Sequence, residues 1–401
     1  MRRSVSVQVG MLAGVVLLAG CGGSTVVVPL PNPFVSITAG LINTCGLLGD
    51  GSAFCWGNNR YGQLGDGSRS GRTSPVAVSG SVTFATMSPG GVHTCGISTA
   101  GVTYCWGYNF NGQLGDATHT DHTGPAPVSG GITWAALSAS GSYTCGIAAD
   151  STAYCWGWNQ FGQLGDSTNL DQSSPTPVLG GHKFVAISAA SFHSCALTAA
   201  GAAYCWGAND YGELGTGDQT PSLVPVAVQG GLVFRSVEAG YYHTCGLTVD
   251  GAAYCWGENQ FGQLGIADSL VTQNTSQPAA VVGGISWSDL SVGAYFVCGV
   301  EQGTGAAYCW GLNSAGQLGA DVTGVCTDQQ SGATFQCTGS PFAVSGGLTF
   351  ASITAGTQHT CGLTSDEVAY CWGLDSDGQL GDGQQGATVF ENQPVKVLGQ
   401  P

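Results

Sequence analysis

The chain has 401 residues, of which only 8% are charged while 67 are glycine. Arg2 and Arg3 account for two of the eight basic groups, so the rest of the chain carries six against 24 carboxylates, a net charge near −18. That balance argues against nucleic acid and anionic lipid surfaces, whose affinity for proteins rests on Lys and Arg, and reads as a solubility device. Beyond residue 20 no apolar run approaches the ~20 residues that a helix needs to cross a bilayer.

In chain order, the first predicted element is a leader. Arg2-Arg3 and the apolar stretch Val9–Gly20 form a basic and then a hydrophobic segment, the pattern of an exported protein. The stretch ends in Leu18-Ala19-Gly20-Cys21, which resembles the lipobox of bacterial lipoproteins at all four positions. That resemblance implies a signal peptide over residues 1–20 and a lipidated Cys21; the alternative is a plain secretory peptide with a chance cysteine. Stable anchoring needs more than one acyl chain, which such a cysteine would carry. Gly22, rather than Asp, follows the cysteine and favours the outer membrane or cell surface of a bacterial envelope. Residues 21–33, with three prolines, form a tether, and 34–401 form the body.

From residue 34 the chain repeats. His93-Thr-Cys-Gly-Ile-Ser-Thr-Ala-Gly-Val-Thr-Tyr-Cys-Trp-Gly107 returns in seven versions, whose first cysteines fall at 45, 95, 145, 195, 245, 298 and 361. A period near 50 predicts a propeller or a solenoid. Each unit reads as four short strands, in the second unit Thr83–Ser88, His93–Ser98, Thr103–Gly107 and Pro127–Ser129, with no helical periodicity. Four-stranded antiparallel blades must bury their faces, and radial repetition does so. The expected fold is all-β: a seven-bladed β-propeller, monomeric.

Cysteine occurs seventeen times, an odd number that becomes even once Cys21 is set aside. Within each unit a pair at C-x9-C or C-x10-C flanks a tight turn, placing the two sulfurs opposite one another on a hairpin. The expected disulfides are Cys45–Cys55, Cys95–Cys105, Cys145–Cys155, Cys195–Cys205, Cys245–Cys255, Cys298–Cys309 and Cys361–Cys371, with Cys326–Cys337 in an insertion. Zinc is the competing reading, since His93, His193, His243 and His359 lie nearby. Zinc sites want C-x2-4-C spacing, which is absent, so no metal and no cofactor is expected. The histidine position is filled by Asn43, Tyr143 and Phe296 in other units, which suits structural hydrogen bonding better than catalysis.

The segment Trp56-Gly-Asn-Asn-Arg-Tyr-Gly-Gln-Leu-Gly65 and its counterparts at 106–115, 156–165, 206–215, 256–265, 310–319 and 372–381 resemble the regulator of chromosome condensation repeat family, over residues 34–399. Glu213 stands for the glutamine once, and Asp375 for the asparagine once. The resemblance implies a seven-bladed ring and leaves the activity open. Trp56 and its six counterparts are expected between blades.

Three functions are weighed. The expectation is a binding scaffold outside the cell, not an enzyme, that takes a protein or envelope ligand and touches the membrane only through its N-terminal lipid. Its binding loops would join the third and fourth strands: Asp66–Ser74, Asp116–Gly124, Ile266–Gln277 and Ala320–Ser340. These lie on the face opposite the tether, because successive antiparallel strands alternate direction. A sialidase-like enzyme is the alternative, since Thr248–Trp256 is weakly similar to an Asp-box. Its substrate carboxylate would need an arginine cluster, and only Arg60, Arg69, Arg72 and Arg235 remain. Guanine-nucleotide exchange, implied by the founding member of the family, conflicts with export and acidity.

Overall fold

The structure, a computed structural model, describes residues 29–267, 273–328 and 331–400. Cys21 and the leader lie outside these residues. The described residues contain strands and no helix, and hence no helix long and apolar enough to cross a membrane.

The first blade sets the pattern. Strands β1 (Phe34–Ala39), β2 (Asn43–Leu48), β3 (Ala53–Gly57) and β4 (Arg72–Ala77) pair antiparallel in sequence order. β2 is buried at every residue, whereas β4 is half-exposed and forms the outer edge. Six further blades follow over residues 84–127, 134–177, 184–227, 234–280, 287–343 and 350–396. Their first strands touch one another around the axis, the last meeting the first, so the seven blades close into a ring.

The fourth strand is where the structure departs from the sequence reading. In the second blade it is β8 (His122–Pro127), not Pro127–Ser129. Pro125 and Pro127 hide it from a propensity argument, yet an outer edge tolerates proline because its outward N–H has no ladder partner. The segment Ala320–Ser340 differs as well. Much of it is a hairpin in which β24 (Val325–Thr327) pairs with β25 (Thr334–Ala343), adding a fifth strand outside the sixth blade.

All eight expected disulfides are present. In the seven blades each joins directly opposed residues of the second and third strands, as Cys45 faces Cys55. Cys326–Cys337 ties the added hairpin.

The tryptophans weld the joints. Trp106 is fully buried and donates its indole N–H to the Gln63 carbonyl of the preceding blade at 3.0 Å. Its ring lies on Gly65, where a Cβ would stand 2.5 Å from the indole nitrogen, and Gly65 also has φ of 72°. Only glycine meets both demands. Ring closure repeats the device: Trp56 donates to the Gln379 carbonyl of the last blade at 3.0 Å. Among the described residues no strand is exchanged between the first and last blades. Leu30, buried with Phe34 and Trp56, also bonds Gly399 across this joint, so the body begins before Phe34.

Strand direction defines two faces. First-to-second turns and third-to-fourth loops share the upper face, where Asn58 N–H bonds Ile42 O. Residues 29–33 enter from the lower face, beside the chain's last described residues.

Candidate functional site

The repeated histidines face the joints, away from solvent. His93, His193, His243 and His359 are completely buried. The His93 Nε2 lies 2.7 Å from Thr144 Oγ1, whose own hydroxyl hydrogen goes to the Gln113 carbonyl. The histidine must therefore donate, which fixes its tautomer. His193 with Thr244 and His359 with Thr44 repeat this. His243 meets Val297 and has no acceptor for Nε2. Burial lowers all four to about 3, so they stay neutral and structural. Among the described residues no cluster of three or more His, Cys, Asp or Glu is arranged to hold a metal.

Six of the seven third-to-fourth loops each hang on one asparagine. Asn59 Nδ2 donates to Asp66 Oδ1 and to the Ser68 and Ser70 carbonyls, while its Oδ1 accepts Leu64 N–H at 3.0 Å. Gln63 completes the loop: its Oε1 accepts Tyr61 N–H, and its Nε2 donates to Asn58 Oδ1. The two departures from this motif both bury a carboxylate. Asp375 still accepts Leu380 N–H but lacks the amide Nδ2 that braces the other loops, and its second oxygen is buried with no hydrogen-bond partner among the described residues. Burial, with Asp382 and Glu391 nearby, pushes it up to about 7. Glu213 accepts Tyr211 N–H through one oxygen at 2.8 Å, and the other is buried without a partner. Burial lifts Glu213 to about 7.

The upper face carries a connected ridge of aromatic rings across the third to sixth blades. It runs from Trp158 and Phe161 through Phe192 to Tyr241 and Tyr242, and on through Tyr295 and Phe261 to Phe335 in the inserted hairpin. Tyr211 joins at Tyr242 with centroids 5.2 Å apart. Most of these rings are part-exposed, and Trp158 is the one tryptophan of ten that is not buried. Sequence reasoning missed the ridge, because its members sit on turn tips and loop starts that vary between units. The readable signal was that aromatic tips (Phe192, Tyr241, Tyr242, Tyr295) occur in consecutive units, where Leu41-Ile42 and Gly91-Val92 stand earlier.

A cavity of about 400 Å³ opens on the axis, lined by first strands and their turns. A collar of side-chain oxygens joins blade to blade there: Ser88 accepts Ala139 N–H at 2.8 Å, and Ser138, Ser188, Ser291 and Thr354 act likewise. Pro89 has no N–H to offer Thr38. Glu238 takes one collar position and accepts Val292 N–H at 3.0 Å. Burial and the nearby Asp289 carboxylate raise it to about 7.

The four arginines do not converge. Arg60 and Arg69 line a shallow cleft beside Asp377; Arg69 pairs with Asp121 and Arg72 with Asp66. Arg235 instead binds the Trp287 and Ser288 carbonyls. The Asp-box-like segment is a lower-face hairpin in which Asp250 accepts the Thr248 hydroxyl.

Comparison with known proteins fits this architecture. Yeast RCC1 (Prp20), seen in a crystal structure bound to Kap60, superposes with a TM-score of 0.74 at 18% identity, over 96% of this chain and 90% of that one. A second structure of Prp20p from Saccharomyces cerevisiae, described with its binding to Gsp1p and histones, gives 0.74 at 19%, over 92% and 87%. Human WBSCR16 gives 0.73 at 19%, over 84% and 89%. At such identities the likeness speaks for the fold alone. Models of the regulator of chromosome condensation (RCC1) repeat match residues 34–63, 134–163, 184–213, 234–263 and 350–379 in one form, and 50–97, 150–197, 200–247 and 250–300 in another. With more than half of its length matched, the chain belongs to the regulator of chromosome condensation repeat family.

Proposed function

We propose that this protein is a lipid-anchored scaffold outside the bacterial inner membrane that captures a protein partner on its upper face. The aromatic ridge from Trp158 to Phe335 carries the reading. Tyr, Trp and Phe are enriched at protein interfaces, and Trp and Tyr among their hot spots, and a rigid propeller holds them at little entropic cost. The family relatives point the same way: yeast RCC1 (Prp20) is seen bound to Kap60, and Prp20p is described as binding Gsp1p and histones.

Eight disulfides support export to an oxidising compartment. A tether that enters on the lower face would turn the ridge away from a membrane. Lipid on Cys21, acting by binding rather than catalysis, and a monomeric state complete the proposal.

The test is site-directed photo-crosslinking in intact cells. A photoreactive residue at Phe161 or Tyr242 should yield a discrete protein adduct, while one at the exposed lower-face Val185 should not. Adducts from Val185 alone would refute capture by the upper face.

A further inference from the structure

Glu213, which departs from the repeat, and Glu258, at a position that varies between units, meet at one joint under the ridge. Glu213 leaves the loop of the fourth blade, and its main chain sits against Gly257 of the fifth. Glu258 follows Gly257 directly, and its N–H bonds the Tyr242 carbonyl. Both side chains are nearly or fully buried.

In the first blade Gln63 answers Asn58, amide to amide. Here Glu213 faces a position held by Ala208, so nothing answers its second oxygen. Among the described residues the Glu258 carboxylate receives only a long 3.4 Å amide contact from Gln263. The four ion pairs among the described residues all lie elsewhere, and none involves Glu213 or Glu258.

Tyr211 gives its N–H to Glu213, the Tyr242 carbonyl accepts the Glu258 N–H, and Tyr211 and Tyr295 both pack on the Tyr242 ring; none of the three hydroxyls bonds another described residue. Burial and the neighbouring Glu258 charge raise all three phenols, with Glu213 adding to this at Tyr211 and Tyr242. Asp210 adds negative charge at Tyr211 and Glu213, and Asp328 adds it at Glu258. Neither Glu213 nor Glu258 has a basic partner among the described residues.

Buried carboxylates without a counter-ion are costly to leave unpaired, and aromatic faces attract cations that have shed water. We infer that Glu213, Glu258, Tyr211, Tyr242 and Tyr295 form a receptor for a cationic side chain, arginine or lysine, on a protein partner. The rings would flank the apolar stem while the carboxylates receive the charged head, an arrangement that suits guanidinium best.

Two rival sites lack one half of this chemistry. Asp375 has acidic neighbours in Asp382 and Glu391, but no ring of the ridge reaches it. Glu238 in the axial cavity accepts the Val292 N–H and, unlike Glu213, has no buried oxygen left without a partner.

The inference specifies the partner chemistry of the capture surface proposed above, but its test needs no partner. The purified full chain is titrated with the capped peptide acetyl-Gly-Arg-Gly-amide and its neutral citrulline analogue, followed by calorimetry and by emission of the part-exposed Trp158. Saturable binding of the arginine peptide is expected, at least tenfold tighter than citrulline. The double variant E213Q/E258Q should lose that advantage. It should also fold, because glutamine is the residue that the other six loops carry at the position of Glu213; a matching melting curve checks this. Tyr242→Leu, which keeps both carboxylates, should weaken the peptide at least threefold. Equal binding of the two peptides, or undiminished binding by the double variant, overturns the cation site. Arginine-peptide binding without any upper-face crosslink would instead sink the capture reading alone.

Discussion

The joint between the first and second blades and the joint between the fourth and fifth are built on one plan and finished differently. In both, a buried tryptophan lies on a glycine and donates to the carbonyl of the preceding loop: Trp106 to Gln63, Trp256 to Glu213. In the first joint the side chain of Gln63 is also answered, by Asn58, and the surface above holds Tyr61 against Tyr108. In the second, Glu213 is unanswered, Glu258 stands beside it, and the rings of the ridge crowd over both. Positions shared by the joints hold the ring together. Under the proposed function, the positions where they differ are where a partner is recognised.

The largest expected effect concerns what is shared. Trp106→Ala and Trp256→Ala should each destabilise the protein by roughly 3–5 kcal/mol, to a similar degree, in equilibrium denaturation. A large loss at one joint only would break the claim that both are welded alike.

A smaller effect separates them. Glu213 stands at about 7 in the fold against an ordinary 4.5. A carboxyl with a raised folded value keeps its proton in the fold and releases it on unfolding. Stability is therefore full below about 4.5 and falls as pH climbs through 7. Glu213→Gln should stabilise at pH 8 by up to roughly 2–3 kcal/mol, with little change at pH 4. The mirror change Gln63→Glu should destabilise at pH 8, since it also deletes the donor to Asn58. Melting curves across pH read both, and a pH-independent Glu213→Gln effect would remove the buried carboxylate from the account.

How much of this the sequence shows depends on what repeats. Paired cysteines at fixed spacing and the Trp-Gly…Gly-Gln-Leu-Gly run recur because every joint needs them, so blade number, disulfides and inter-blade tryptophans were all readable. The fourth strand was misplaced because Pro125 and Pro127 mask an edge strand whose position is set by the Asn109 loop brace rather than by β-propensity. The insertion was read as a loop because nothing local reveals that Val325–Thr327 finds a partner in a lengthened neighbour. Glu213 was visible as a departure, but its meaning depends on Ala208, Glu258 and three tyrosines brought in from neighbouring turns. Such a cluster exists only once the ring has closed.

The central claim, that the ridge and not the ring in general is the capture surface, is tested most directly by affinity for whichever protein the upper face crosslinks. The comparison is between Tyr242→Ala at the departing joint and Tyr61→Ala at the regular one, both read by calorimetry. The account predicts a loss of at least roughly thirtyfold, about 2 kcal/mol, for Tyr242→Ala and less than threefold for Tyr61→Ala. Equal losses, or a larger loss at Tyr61, would contradict it.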